Sequence, residues 1–415
     1  MTARTRLLRQ VHRTAAAVGF AVLVGCSDIF DVQNPGQILD EDLNRPEAMA
    51  TLVTGMSADL SDALGNMIYV TARLSDEMAG SGNYVHTALF RRGIVEREYV
   101  SGVWNATQRA RWVAEAGIER MRKVLGEAFE GNPLVARAYL FAGLSNRLLG
   151  ENFCEVVYDG GPPQNRSVAF ERADAHFVEA IRHAEAAGEQ AIRLAAYGGR
   201  AQAAVGLGDW AAAVRYAAEV PTDFGYYAIY SDNSPDEENI VWTFTHQTPE
   251  MGAYATLAGS FVPPDPRAPY TDCRLGGCAR VVGQDGTTPH FRQEKYPERG
   301  SDIPLVKGTE MRLIEAEALL LNGDVAGAMA KINEVRDFWE LPDLSAADAD
   351  EAWDHLDNER HLTLWLEARR LWDLHRWDHE FLRGGSIVYP GVENRASCLI
   401  FPLSECQTNP NLNCS

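Results

Sequence analysis

No stretch of this 415-residue chain reaches the roughly 18 consecutive apolar residues that mark a bilayer-spanning helix, so none is read as one. G-x-S-x-G, H-E-x-x-H and a G-x-x-x-x-G-K loop are all missing, and with them the nucleophile, zinc-peptidase and phosphate-cradling signatures. Positive charge is scarce: 38 Lys and Arg stand against 58 Asp and Glu, a formal charge of −20. A body this acidic does not bind nucleic acid or an anionic lipid face through net charge. "SDNSPDEEN" lacks the ordered ligand spacing of a calcium loop. His375 and His379 are four apart but have no evident third metal ligand, and no cofactor is expected.

What is present begins with a targeting segment. Arg4, Arg6, Arg9 and Arg13 precede a 12-residue apolar run, Thr14 to Gly25, too short to span a bilayer. Leu23-Val24-Gly25-Cys26 looks like a bacterial lipobox, which implies cleavage after Gly25 and a diacylglyceryl group on the Cys26 sulfur. The partner it implies is the lipid bilayer, reached through an acylated, palmitate-bearing cysteine. Cleavage there removes four arginines and no acid, taking the formal charge from −20 to −24. Residues 1–25 are therefore read as a signal peptide and 26–415 as the mature domain.

Six cysteines remain: Cys154, Cys273, Cys278, Cys398, Cys406 and Cys414. An even count in an exported chain points to disulfides, with about 15 connectivities open. Cys273 and Cys278 bracket a Gly-rich turn and are expected to pair. Zinc is the competing use of C-x4-C, but no histidine lies close by.

Helical periodicity dominates the rest. Phe170, Ala173, Phe177, Ile181 and Ala184 make one apolar helix face. Two segments share one plan of paired helices split by a Gly-Asp turn. Ala201 and Ala316 each sit eight residues before Asp209 and Asp324, and Ala213 and Ala328 four after. Small residues at these positions let antiparallel helices approach closely, and Gly before Asp ends one helix and caps the next. The fold class is thus mostly α, with tetratricopeptide-like helix pairs forming a right-handed α-superhelical scaffold at about 40–220 and 308–380. Residues 350–377 are read as a further helix. A loop-rich insertion carrying little β occupies about 221–307, with "NIVWTFT" its one strand-like run, and a coil ends the chain at 381–415.

The chain resembles the SusD/RagB family of nutrient-uptake lipoproteins from the outer membrane of Bacteroidota-type bacteria. The resemblance rests on "FDVQNPGQILDEDLNRPEAMATLVTG", "EENIVWTF", "DPR" at Asp265–Arg267, "EKY" at Glu294–Tyr296, "DIPLVKGTEMRLIEAEALLLNGD", "ERHLTLWLEARRLWDLHRW" and "FPLSECQTNPNL", in that order behind the lipobox. It implies a single SusD-like domain and a lid on a TonB-dependent, SusC-like transporter, gripping an oligosaccharide or peptide at the cell exterior. In "LWLEARRLWDLHRW", Glu367 with Arg370 and Arg369 with Asp373 have helix-pairing spacings, and Trp365 and Trp372 share a core stripe.

Sugar rings dock their C–H faces on aromatic side chains while polar groups take the hydroxyls. Ligand candidates must therefore lie in loops: Asn83 and Tyr84 beside a Gly-rich turn, and Tyr254, Phe261, Arg267, Tyr270 and Phe291 in the insertion. Trp242 and Phe244, and likewise Trp104 and Trp112, are assigned to the core. Two rivals stand beside a non-catalytic capture protein. One is a helical-repeat scaffold for outer-membrane protein assembly. The other is a lipid-anchored glycoside hydrolase, which needs two carboxylates about 5–9.5 Å apart in a cleft.

Overall fold

The computed structural model describes residues 40–384 and 391–414. Cys26 and the targeting segment lie outside them. Residues 40–45 contribute one 3-10 turn, Asp40–Leu43. From Pro46 onward the chain forms a single unit. Its helices are α1 Met49–Leu74, α2 Val85–Arg91, α3 Ser101–Leu125, α4 Pro133–Asn152, α5 Ser167–Ala187, α6 Gln190–Leu207, α7 Trp210–Ala217, α8 Gly308–Leu321, α9 Val325–Phe338, α10 Ala349–Thr363, α11 Arg370–Arg376 and α12 Leu403–Thr408. Strands are short and occur as four antiparallel two-stranded ribbons. β1 (Ala79–Gly80) pairs β5 (Met251–Gly252), and β2 (Glu155–Val156) pairs β3 (Gln164–Asn165). β4 (Gly225–Ala228) pairs β8 (Ile303–Lys307), and β6 (Tyr270–Asp272) pairs β7 (Phe291–Gln293). The molecule is mostly α, as the periodicity predicts.

The helix pairs form for the reasons the spacing carries. Gly208 and Gly323 adopt the left-handed conformation that ends α6 and α8. The next residue then caps the following helix: Asp209 accepts the Ala212 N–H at 3.0 Å, and Asp324 the Gly327 N–H at 2.8 Å. Ala201, Ala213, Ala316 and Ala328 are all fully buried. The apolar face of α5 packs between α4 and α6 through a seven-residue repeat. The ring of Phe177 fills the space over Gly143 and Gly199, and the ring of Phe170 that over Gly150 and Gly206. A Cβ on Gly143 would stand 2.5 Å from Phe177 Cε1, so these glycines set the helix spacing.

Three expectations need correction. "NIVWTFT" is helical: Asn239 Oδ1 accepts the N–H groups of Val241 and Trp242, opening a turn at Ile240–Trp242 that runs into a wider one at Thr243–Gln247. Beyond the buried cap Asn239, its buried residues Val241 and Thr245 are four apart, a helical period. Trp242 and Phe244 consequently point to different sides, and each is half-buried. Trp104 is buried, but Trp112 is 57 % exposed, because the inward stripe of α3 runs through Ala110, Ala114 and Gly117.

The third concerns 350–377, which is two helices. Between α10 and α11 the backbone takes positive φ at Leu366 (57°) and Ala368 (58°). This removes the helical spacing between Glu367 and Arg370, while Arg369 and Asp373 stay on one turn but find other partners. Glu367 instead accepts from Lys295 and Lys307, both at 2.6 Å. Arg369 pairs with Glu151 and Glu310 at 2.5 and 2.6 Å, and Arg370 with Asp76 and Asp357. Asp373 takes Arg360 and Arg376. Burial pulls Lys295 down to about 8 against the attraction of Glu367. It pushes Glu77 up to about 8, even though one Glu77 oxygen accepts the Leu366 N–H at 2.7 Å. Trp365 and Trp372 are buried as expected.

The six described cysteines form Cys154–Cys398, Cys273–Cys278 and Cys406–Cys414. The first ties the end of α4 to the C-terminal coil, where Phe153 and Leu399 also bridge in parallel.

Substituting Gly143 by Ala should lower stability by about 1–3 kcal/mol through overpacking. The same change at Gly55, on α1 with open space around it, should raise it by about 0.5–1 kcal/mol. Urea denaturation of both variants compares the two directly.

Candidate functional site

Backbone pairing between β1 and β5 joins the loop after α1 to the insertion, and the ligand candidates leave this ribbon in two groups. Ala79 faces Gly252 and Gly80 faces Met251. Beyond Gly80, the Ser81 N–H donates to Glu250 O at 2.7 Å and its hydroxyl to Pro249 O at 3.1 Å. This holds Asn83 and Tyr84 at the surface, with Tyr84 58 % exposed at the start of α2.

Around Tyr84 lies a continuous aromatic patch. Its ring stacks on His86 with centroids 5.5 Å apart and planes 9° from parallel. Tyr99, itself 38 % exposed, lies 6.0 Å from His86. Tyr69 comes from the C-terminal half of α1 and stacks on Phe244 at 4.1 Å. Arg73 lies 3.6 Å over the other face of the Tyr69 ring. The Tyr69 hydroxyl donates to Glu250 Oε2 and lies 3.4 Å from His86 Nε2. Burial and the nearby Arg73 charge hold His86 down to about 4, so at neutral pH the imidazole carries one N–H and one lone pair. Burial raises the Tyr69 phenol well above its ordinary value. The patch therefore offers flat ring faces and uncharged hydrogen-bonding groups around a single buried carboxylate.

The second group is less open. Tyr270 and Phe291 stack at 5.1 Å, and Tyr254 meets Phe291 edge-on at 5.4 Å. Tyr270 and Phe291 are buried, and the Tyr270 hydroxyl donates to Phe261 O at 2.9 Å. Together with the adjacent Cys273–Cys278 bridge they hold the insertion together. Tyr254 is half-buried and Phe261 is 36 % exposed at the edge of this cluster.

Arg267, the remaining candidate of the insertion, lies away from the surface. It is buried, with its guanidinium held by Asp265 at 2.9 Å and by Glu359. The "DPR" turn spends its charge on this pair and so fastens the insertion to α10. His375 bonds Ser397 and His379 bonds Asp357, so these histidines engage different partners.

Sequence reasoning missed Tyr69, His86, Tyr99 and Phe244. Tyr69 sits on a long apolar helix that reads as core. The available signal was local: His86 lies two residues from Tyr84, and Tyr99 closes the same loop region.

Comparison with known proteins agrees with this architecture. The model of the SusD family matches residues 288–397. No curated protein matches the chain by sequence. Among solved structures, a SusD homolog from Bacteroides thetaiotaomicron is 16 % identical, covering 89 % of this chain and 97 % of its own with a TM-score of 0.66. A SusD superfamily protein from Bacteroides vulgatus is 14 % identical over 88 % of this chain and 98 % of its own, also with a TM-score of 0.66. A SusD-like carbohydrate binding protein from Bacteroides vulgatus is 14 % identical over 81 % of this chain and 84 % of its own, with a TM-score of 0.61.

The sign of the His86 shift yields a test. An unfolded chain takes up a proton near pH 6.5 that the folded chain refuses until about 4. Stability tied to this ring is therefore present above pH 6.5 and lost as pH falls through that window. An NMR titration should find the His86 ring signals unchanged from pH 8 to 5, with Arg73→Met moving the midpoint upward.

The SusD family model thus matches the C-terminal helix pairs, residues 288–397, and the fold of SusD-like structures extends over most of the remaining chain.

Proposed function

We propose that this protein is a lipid-anchored, non-catalytic capture protein at the outer surface of a bacterial outer membrane. It takes up oligosaccharides and passes them to a TonB-dependent, SusC-like transporter. The observation that carries this reading is the exposed Tyr84–His86–Tyr99 patch beside the β1–β5 ribbon. Pyranose C–H faces dock on such rings, and Asn83 and the neutral His86 exchange hydrogen bonds with hydroxyls. The wall of the patch is stiffened by the Phe244–Tyr69–Arg73 stack, so binding orders few side chains and costs little entropy. Docking is reversible and breaks no bond. The buried carboxylate of the patch, Glu250, is only 4 % exposed and already accepts from Tyr69, so it is not free for acid–base work. Cys26 supplies the tether in this picture, and the acidic exterior keeps the protein solvated.

The patch is tested by isothermal titration with neutral oligosaccharides. Tyr84→Ala and Tyr99→Ala should each weaken binding at least tenfold, about 1.4 kcal/mol. Affinity confined to peptides, or release of shortened glycans by the parent protein, would contradict the reading. The anchor is tested separately: labelled palmitate should enter the parent protein in cells and not Cys26→Ser. A co-purifying barrel protein from detergent-solubilised membranes would supply the partner.

A further inference from the structure

The N-terminal end of α1 borders a second cleft, of about 530 Å³, walled by α4 and β4. Its lining includes Ser57, Arg137, Phe141, Tyr226, Tyr227 and Ile229. Val53, also in its wall, stands about 24 Å along α1 from Tyr69 at a rise of about 1.5 Å per residue. The cleft is thus separate from the Tyr84 patch.

Two features distinguish it from ordinary surface. The first is a stacking platform. Tyr227 is 45 % exposed and its ring lies back along the strand over Gly225, where an added Cβ would fall 2.5 Å from the phenol oxygen. The missing side chain at Gly225 is what lets the ring lie down and present its outer face. Ile229, 57 % exposed, extends the same strand face. Burial raises the half-buried Tyr226 phenol to about 12, keeping it a neutral donor. The second feature is charge. Arg137 is exposed at the rim and forms no salt bridge or hydrogen bond among the described residues. In a chain of formal charge −20, where guanidinium groups such as those of Arg267, Arg369 and Arg370 are each held by two carboxylates, an uncommitted one beside open ring faces is unusual.

We infer that this cleft is a second binding site, for the carboxylate-bearing sugar unit of an acidic oligosaccharide. The Arg137 fork matches a uronate carboxylate in geometry and charge. Tyr227 takes the C–H face of the ring, and Ser57 and the Tyr226 phenol take hydroxyls. The anionic group is recognised locally, since the acidic body as a whole repels it. This inference stands on the cleft alone and does not depend on what the Tyr84 patch binds.

The test is isothermal titration of the full protein with tetragalacturonate and with its uncharged methyl ester. The parent should bind the acid at least tenfold more tightly than the ester. Arg137→Gln should lose that preference, and Tyr227→Ala should weaken binding of the acid. Arg137 is exposed, so its variant should keep the parent's melting temperature; the acid-against-ester comparison on the parent stands regardless. The inference is overturned by absence of tetragalacturonate binding, by equal affinity of the parent for acid and ester, or by retention of the acid preference in Arg137→Gln. It is also overturned if only an acidic peptide binds in an Arg137-dependent way.

Discussion

One buried turn, residues 366–370, holds the distant parts of this molecule together. Leu366 takes the Glu77 carboxyl at the end of α1, Glu367 takes two lysines from the insertion, Arg369 takes α4 and α8, and Arg370 takes Asp76 and α10. Charges taken out of water need partners at good geometry, and several kcal/mol are at stake for each ion left alone. Hydrophobic packing tolerates small slides between helices. A guanidinium clamped by carboxylates from two different helices does not. The turn therefore fixes the register of the N-terminal helices, the insertion and the C-terminal pairs against one another.

That constraint positions the site. α1 carries Tyr69 in its C-terminal half, and the loop that follows, beyond the half-buried Asp76 and the buried Glu77, carries Asn83 and Tyr84. Met251 and Gly252 close the ribbon from the insertion, itself held by Arg267 on Glu359 and by Lys295 and Lys307 on Glu367. The aromatic patch is consequently a preformed surface on an anchored ribbon. Its exposed rings, Tyr84 and Tyr99, stand on half-buried ones, His86 and Tyr69, and those in turn on Phe90 and Phe244. Such layering makes a stiff, outward-facing aromatic surface.

How much of this was legible beforehand depends on the range of the interaction. The Gly-Asp turns and their flanking alanines read correctly, because a cap and a close helix approach are decided within a dozen residues. The Cys273–Cys278 pairing read for the same reason. Where alternatives were separated only by distant groups, the reading failed. "NIVWTFT" alternates like a strand, yet Asn239, itself held by the carbonyls of Arg299 and Ser301 about 60 residues on, caps it as a helix. Trp112 fits a helical spacing from Trp104, but which face of α3 turns inward depends on where α1 and α4 lie. Arg267 looked available because Glu359, its partner, is 92 residues away.

By itself the sequence determined the helix-pair architecture, the loop-rich insertion and the resemblance to the SusD/RagB family, since each is written in short-range periodicity or in an ordered set of motifs. Only the tertiary structure decided which charges met. Arg369 and Asp373 do share one helical turn, where the Asp373 N–H donates to Arg369 O, but buried carboxylates on α4 and α8 take the guanidinium instead. It likewise decided which aromatics face outward, because exposure is a property of the assembled surface and Tyr69 could join Tyr84 only once α1 and the insertion had packed.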